Sequence, residues 1–258
     1  MRHLVRFATA TLAIVALFTA VTPSQAALNV GFIEHVTNGG FEGGTYGQVN
    51  YNGTKVPGWT VPGTQYTSYT FAANSSNIST GVLGHAGTLR MWDSRTNGST
   101  GGLEITASPV GGNFITMDGN LPGLMSPIQQ LLTHLVPGAK YEVSFYAGFA
   151  QQYLYYGDTL QRWDVSLGDE TWSTPTILVP EHTFTGWQKY THTFTAKSGT
   201  SLLKFAGWGN VPVPPFALLD GASVVGPHAP EPASIAIFGI GIATMGIVRR
   251  YRRPKVSA

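Results

Sequence analysis

Cysteine is absent from all 258 residues. That removes disulfides, thiol catalysis and cysteine zinc centres together. Charge is scarce as well, at 11% of the chain. What charge there is sits unevenly. Arg2, Arg6, Arg249, Arg250, Arg252, Arg253 and Lys255 supply seven of the fifteen basic residues, all in terminal segments. Residues 27–229 keep eight basic against twelve acidic residues, a net charge of −4. The formal +2 of the whole chain therefore belongs to its ends. A nucleic-acid partner needs a basic surface on the folded part, so none is expected. Catalytic signatures are missing too. There is no HExxH, no GxSxG elbow and no phosphate-binding loop. His35, His85, His134, His182 and His192 are scattered. Asp164, Asp169 and Glu170 are the nearest thing to an acid pair, in a loop beside a strand where carboxylates are usually solvated. A non-catalytic protein is expected.

The two ends carry what the middle lacks. Arg2, His3 and Arg6 precede an apolar stretch from Ala8 to Val21, and Ser24-Gln25-Ala26 follows as a small-x-small cleavage pattern. Residues 1–26 read as a secretory signal peptide cut between Ala26 and Ala27. Near the other end, Pro230-Glu231-Pro232 precedes sixteen uncharged residues, Ala233 to Val248. A helix of that length covers roughly 24 Å of a hydrocarbon layer about 30 Å thick, a marginal span. The arginines of the basic tail, 249–258, would hold the cytoplasmic side. Both ends therefore put residues 27–226 outside the cytoplasm as one domain. Residues 227–232 read as a linker, and 233–248 as a transmembrane helix.

Between these ends the pattern is that of strands. Tyr141, Val143, Phe145 and Ala147 share one parity, with Glu142, Ser144 and Tyr146 on the other. Trp163, Val165 and Leu167 repeat the pattern, as do Tyr190, His192 and Phe194. The segments 200–208 and 216–225 are further strands, and Pro137-Gly138 and Ser198-Gly199 supply turns. Ser126 to Leu135 is read as a strand, although a short helix would fit it. The first half is less regular, with short pieces among glycines. An all-β sandwich with one core follows.

Two resemblances add to this reading. The order of Pro230-Glu231-Pro232, apolar run and arginine cluster (Arg249, Arg250, Arg252, Arg253) resembles the PEP-CTERM sorting signal of Gram-negative bacteria. It implies recognition and cutting by a membrane exosortase, then delivery to the outer cell surface or the extracellular matrix. The pieces Asn38-Gly39-Gly40-Phe41-Glu42, Pro57-Gly58-Trp59, "NFITMDG", "FTGWQKYTHTFTA" and "LLDGASVV" resemble, in that order, the galactose-binding-like β-sandwiches. These include carbohydrate-binding modules and DUF642-type secreted proteins, and the resemblance implies a jelly-roll-like sandwich. It also implies a structural Ca²⁺ held by Glu42 and Asp220.

Asp220 has a reading of its own. It shares parity with Leu218, Ala222 and Val224, while Leu219, Ser223 and Val225 share the other. If the Ala222–Val224 face is inside, Asp220 points inward and needs a cation or several donors. The alternative is a carboxylate bonded to backbone amides in a turn. Glycans stack on exposed aromatics, and the loop Gln151 to Asp158 offers Gln151, Gln152, Tyr155 and Tyr156 for that purpose. Trp163 and Trp187 are expected in the core. The leading function is a secreted, exosortase-sorted surface or matrix protein that binds exopolysaccharide. The alternatives are a purely structural surface protein without a ligand and a glycan-acting enzyme.

Overall fold

The computed structural model describes residues 31–229, apart from 45, 51–54, 63–67, 79–88, 97, 119–126 and 211–214. The signal peptide with its Ala26–Ala27 cut, the motif Pro230-Glu231-Pro232, the apolar run and the arginine tail lie outside the described residues. Among those described, no helix is long and apolar enough to cross a membrane.

Every element among the described residues is a strand. The first half supplies six short ones: β1 (Phe32–Glu34), β2 (Gly47–Gln48), β3 (Ser68–Phe71), β4 (Asn77–Ile78), β5 (Leu89–Arg90) and β6 (Phe114–Asp118). The second half supplies β7 (Ile128–Leu132), β8 (Lys140–Gln151), β9 (Thr159–Leu167), β10 (Glu170–Ser173) and β11 (Ile177–Val179). It ends with β12 (Gln188–Thr195), β13 (Ser201–Gly209) and β14 (Pro215–Pro227). The larger sheet runs β12-β8-β14-β6-β3-β2, with β1 also paired to β14. The smaller runs β10-β9-β13-β7, with β11 on β9, and β4 and β5 pair separately. The pairings are antiparallel, as expected for a sandwich whose strands alternate apolar and polar.

The main core lies between the two sheets. Tyr141, Val143, Phe145, Ala147 and Phe149 of β8 meet Trp163, Val165, Leu167, Leu203 and Phe205 of β9 and β13 there. The alternation read in the sequence is the alternation that packs. Ser126 to Leu135 contains strand β7, not a helix. Trp163 is fully buried in this core, and its indole N–H donates to Leu218 O at 3.1 Å.

A second core covers the larger sheet's other face. Phe71, Met91, Ile105, Phe114, Phe184, Phe216 and Leu218 make it, with Trp187 packed against it. The chain of residues 89–113 and 180–187 therefore lies across that face. The close approach shows at Gly148 of β8, where an added Cβ would meet the Phe184 ring at 2.6 Å. The smaller sheet's outward face receives no such cover from the described residues.

The end of the domain differs from expectation. Residues 227–232 were read as a linker, but Pro227 pairs with Phe32 and His228 bridges to Leu135. The Ala229 N–H then donates to His134 O at 2.7 Å. Pairing with β1 and the β7–β8 turn carries the folded unit through residue 229.

Candidate functional site

Three places carry the chemistry. The first surrounds Asp220. Asn38 and Phe41 both take left-handed backbone (φ 56° and 55°), which turns the chain sharply back on itself. The Asn38 side chain holds the turn by accepting from Glu42 N–H at 2.8 Å and donating to Glu42 O at 2.9 Å and Pro57 O at 2.7 Å. The Trp59 indole donates to Asn38 O at 2.8 Å. The motifs Asn38–Glu42 and Pro57–Trp59 thus form one knot.

This knot presents Glu42 to β14. Glu42 Oε1 accepts Asn113 N–H at 2.6 Å, across a Gly112 whose Cβ, were there one, would lie 1.7 Å from that oxygen. A Cβ on Gly40 would lie 3.8 Å from Asp220 Oδ1 and 3.9 Å from Glu42 Oε1, so both carboxylates border the same small space. Asp220 is wholly buried. Its Oδ2 accepts from the Ser108 hydroxyl at 2.5 Å and its Oδ1 from Gly221 N–H at 2.7 Å.

Asp220 does not lie on the face of Ala222 and Val224 that its parity predicts. Gly221 has φ 58°, and the β14–β8 register shifts between Asp220 and Ser223. This bulge places Ala217, Leu219, Ala222 and Val224 in the main core, whereas Leu218 lies in the second. Asp220 is buried on Leu218's side, beneath the loop that carries Ser108, and not beside Ala222 and Val224. The carboxylate is buried and bonded to the backbone N–H of Gly221.

Burial pushes the Asp220 carboxyl up to about 7 from an ordinary 3.8. The hydrogen bonds from Ser108 and Gly221 oppose that rise, and the negative charge of Glu42 adds to it. A buried carboxylate beside the exposed one of Glu42 leaves negative charge that a proton or a cation would relieve. All the donors are oxygens, which suits a hard cation such as Ca²⁺. Among the described residues no three acids or histidines converge, so backbone carbonyls would have to complete such a site.

The second place is the loop after β8. Tyr155 and Tyr156 are 41% and 62% exposed, as a stacking role needs. Gln152 is half-buried and bridges to Met91. Gln151 is corrected: it is wholly buried, with no surface for a ligand. Its amide donates to Gly157 O at 2.8 Å and accepts from His182 N–H at 2.9 Å, so it ties the loop shut from below. Tyr156 meets the edge of His182 at 5.0 Å, and His182 stacks on Trp92 at 3.8 Å.

Sequence reasoning missed the third place, the outward face of the smaller sheet. On β9, Arg162, Asp164 and Ser166 point outward, and on β13, Lys204, Ala206 and Trp208. They stand opposite one another in register, with Thr171 and Ser173 of β10 alongside. Arg162 lies over the Trp208 ring at 4.0 Å and binds Asp164 at 2.7 Å. Ala206 leaves a hollow of 380 Å³ between these walls. The signal was the polar half of the alternation in "RWDVSLG" and "TSLLKFAGW". Counting the apolar half finds the core and passes over what faces out.

No facing acid pair appears among the three candidate acids. Asp164 is held by Arg162 and Ser173, Asp169 lies 3.9 Å from Lys197, and Glu170 accepts Thr195 N–H of β12 at 2.8 Å.

Comparison with known proteins identifies the tail. Residues 228–253 match the PEP-CTERM protein-sorting motif. The motif marks an exported protein processed at the membrane. No curated protein matches the chain. Among solved structures, the chain is similar to the Stig cyclase Fisc from Fischerella sp. TAU, at 15% identity, covering 78% of this chain and 100% of that one, with a TM-score of 0.43. It is similar to TmCBM61 in complex with β-1,4-galactotriose, at 17% identity, covering 74% and 97%, with a TM-score of 0.36. It is also similar to the CBM22-1 xylan-binding domain from Paenibacillus barcinonensis Xyn10C, at 13% identity, covering 77% and 95%, with a TM-score of 0.36.

A carboxyl with a raised folded pKa binds its proton more tightly folded than unfolded. Its stabilising effect is complete below about pH 4 and is lost as pH rises through about 7. In metal-free buffer the chain is expected to lose stability across that window, by up to about 4 kcal/mol. Denaturant midpoints measured at several pH values check this. Asp220→Asn should flatten the slope; an unchanged slope in that variant would assign it to other groups.

Proposed function

We propose that this chain is an exported, non-catalytic, polysaccharide-binding protein. An exosortase processes it at Pro230-Glu231-Pro232 and delivers it to the outer cell surface or extracellular matrix of a Gram-negative bacterium. Until then the apolar run Ala233 to Val248 anchors it in the membrane. The sorting motif supports the export and processing. The observation that carries the glycan reading is the open face of the smaller sheet. There an indole, a guanidinium and several hydroxyls line one hollow that the described chain leaves uncovered.

That combination suits sugars. A pyranose presents apolar C–H faces and a rim of hydroxyls, so it needs a flat apolar surface beside donors and acceptors that point outward. Trp172, the indole that lines the hollow and stacks on His192, supplies the first, while Asp164, Ser166, Thr171 and Ser173 supply the second. Tyr155 and Tyr156 stand in the loop that leads into β9, at one end of this face. The nine residues of β9 extend about 30 Å. An extended chain of several sugars would fit along them.

One Ca²⁺ held by Glu42 and Asp220 would serve structure, not reaction. It would neutralise two adjacent carboxylates and tie the Asn38–Glu42 knot to the central strand. Gly112 lets the Glu42 carboxylate approach the backbone, and Gly40 keeps a side chain out of the space beside both carboxylates.

Three outcomes test this reading. Calcium should raise the melting temperature of the chain and EDTA lower it, since the ion would stabilise the fold by about 2.7 kcal/mol at a hundredfold excess over the dissociation constant. Asp220→Ala should abolish the response, and a melting curve indifferent to both reagents would remove the ion. In affinity electrophoresis against a polysaccharide panel, Trp172→Ala should weaken retention about tenfold or more. Retention by no polymer would favour a structural protein, and release of sugars would favour an enzyme. Mass spectrometry of the protein from its native host should find the arginines 249–253 removed. Glu231→Ala should leave a larger, membrane-bound form, and a mature extracellular protein that keeps those arginines would sink the processing claim.

A further inference from the structure

The hollow over Arg162 and Ala206 does not end at β13. A second hollow, of 360 Å³, lies beside it over Leu202, Thr200, Lys197 and Asp169. Lys204 lines both. The two are adjacent lengths of one channel, and Lys204 stands where they join. Opposite it in register are Gln129 of β7 and Ser166 of β9, with Thr171 of β10 beyond.

The charge in this channel runs against the rest of the domain. Residues 27–229 carry a net −4. Yet three of their eight basic residues, Arg162, Lys197 and Lys204, line the channel, against the carboxylates of Asp164 and Asp169. Arg162 is engaged with Asp164, and Lys197 has Asp169 at 3.9 Å. Lys204 has no ion-pair or hydrogen-bond partner among the described residues. One uncompensated ammonium therefore projects into the middle of the channel, flanked by hydroxyl and amide groups. An anion must meet it for the bound state to gain from that charge.

We propose that the channel takes an acidic polysaccharide, with a sugar carboxylate on the Lys204 ammonium and neighbouring hydroxyls on Ser166, Thr171 and Gln129. This rests on the outward face of the smaller sheet being a glycan site, and it names the class of glycan.

Polygalacturonate and its methyl ester separate the two claims, since they share a backbone and differ in charge. The full chain in mild detergent should be retained more strongly in gels that contain the acid form. The preference should shrink as salt is raised, because a partly exposed pair is screened. Lys204→Gln should cost about tenfold in affinity for the acid form and nothing for the ester. Lys204→Arg should keep the preference and serves as the control for folding. Equal retention by acid and ester, or a Lys204→Gln variant that still prefers the acid, would overturn the acidic-glycan proposal and leave the glycan site standing. Retention by neither polymer nor any neutral glycan would overturn both. Lys204-dependent binding to phosphatidylglycerol vesicles, with none to polygalacturonate, would overturn the proposal in favour of a lipid surface.

Discussion

A single strand has to satisfy two cores at once, and everything else in this domain is arranged around it. β14 is paired to β8 on one edge and to β6 and then β1 on the other. Its residues from Pro215 to Asp220 are all buried, because chain covers both faces there. A strand in that position has no solvent side to which a polar group can retreat. Gly221 resolves the conflict. Its left-handed backbone inserts a bulge, which restores Ala222 and Val224 to the main core. Asp220 is left on the second side, where Ser108, Gly221 and the space shared with Glu42 receive it. A Cβ at Gly221 would add crowding from Val110 at 3.0 Å to the strain of its φ.

The same arrangement divides the molecule by task. The larger sheet's outer face is spent on its own chain, since the segments at 103–106 and 184–187 bond to each other and to β8. The smaller sheet carries no such layer among the described residues, so its outward residues are free to be polar. Sandwich strands that face solvent tend to carry a mixture of short polar and charged groups. Here they carry an indole with an arginine laid over it, and a lysine between two hollows. The face that the described residues leave bare is also the one that gathers these groups.

How much of this was legible depends on whether a feature is local. Strands β8, β9, β12, β13 and β14 were legible because each runs for at least eight residues, long enough for strand patterning to stand out. The sorting tail was legible from the order of its three parts. The bulge was not, since counting parity along "LLDGASVV" runs straight through Gly221 and assigns Asp220 to the wrong face. Gln151 misled for a related reason. An amide beside tyrosines resembles a sugar-binding set, yet its hydrogen bonds to residues 157 and 182 are made only once the loop and the 180–184 segment have closed over it. Glu42 and Asp220 are 178 positions apart, and nothing in local pattern joins them. Resemblance alone suggested that pair, and the geometry at Gly40 supplies the physical reason they interact.

The ends of the domain follow from the same central strand. β1 pairs with the last residues of β14, Phe32 opposite Pro227, so the chain enters and leaves the sandwich at one place. Several contacts hold that place without help from the tail. The Tyr141 hydroxyl donates to Pro227 O at 2.6 Å and accepts from Val136 N–H at 2.6 Å. Glu34 accepts from Val224 N–H at 2.8 Å and from the Ser223 hydroxyl. The Ala229 N–H bond to His134 O is the last among the described residues, one residue before Pro230. A cut beyond residue 229 would therefore leave every described strand and both described cores in place, since what holds this domain together is the pairing that β14 makes with β8, β6 and β1.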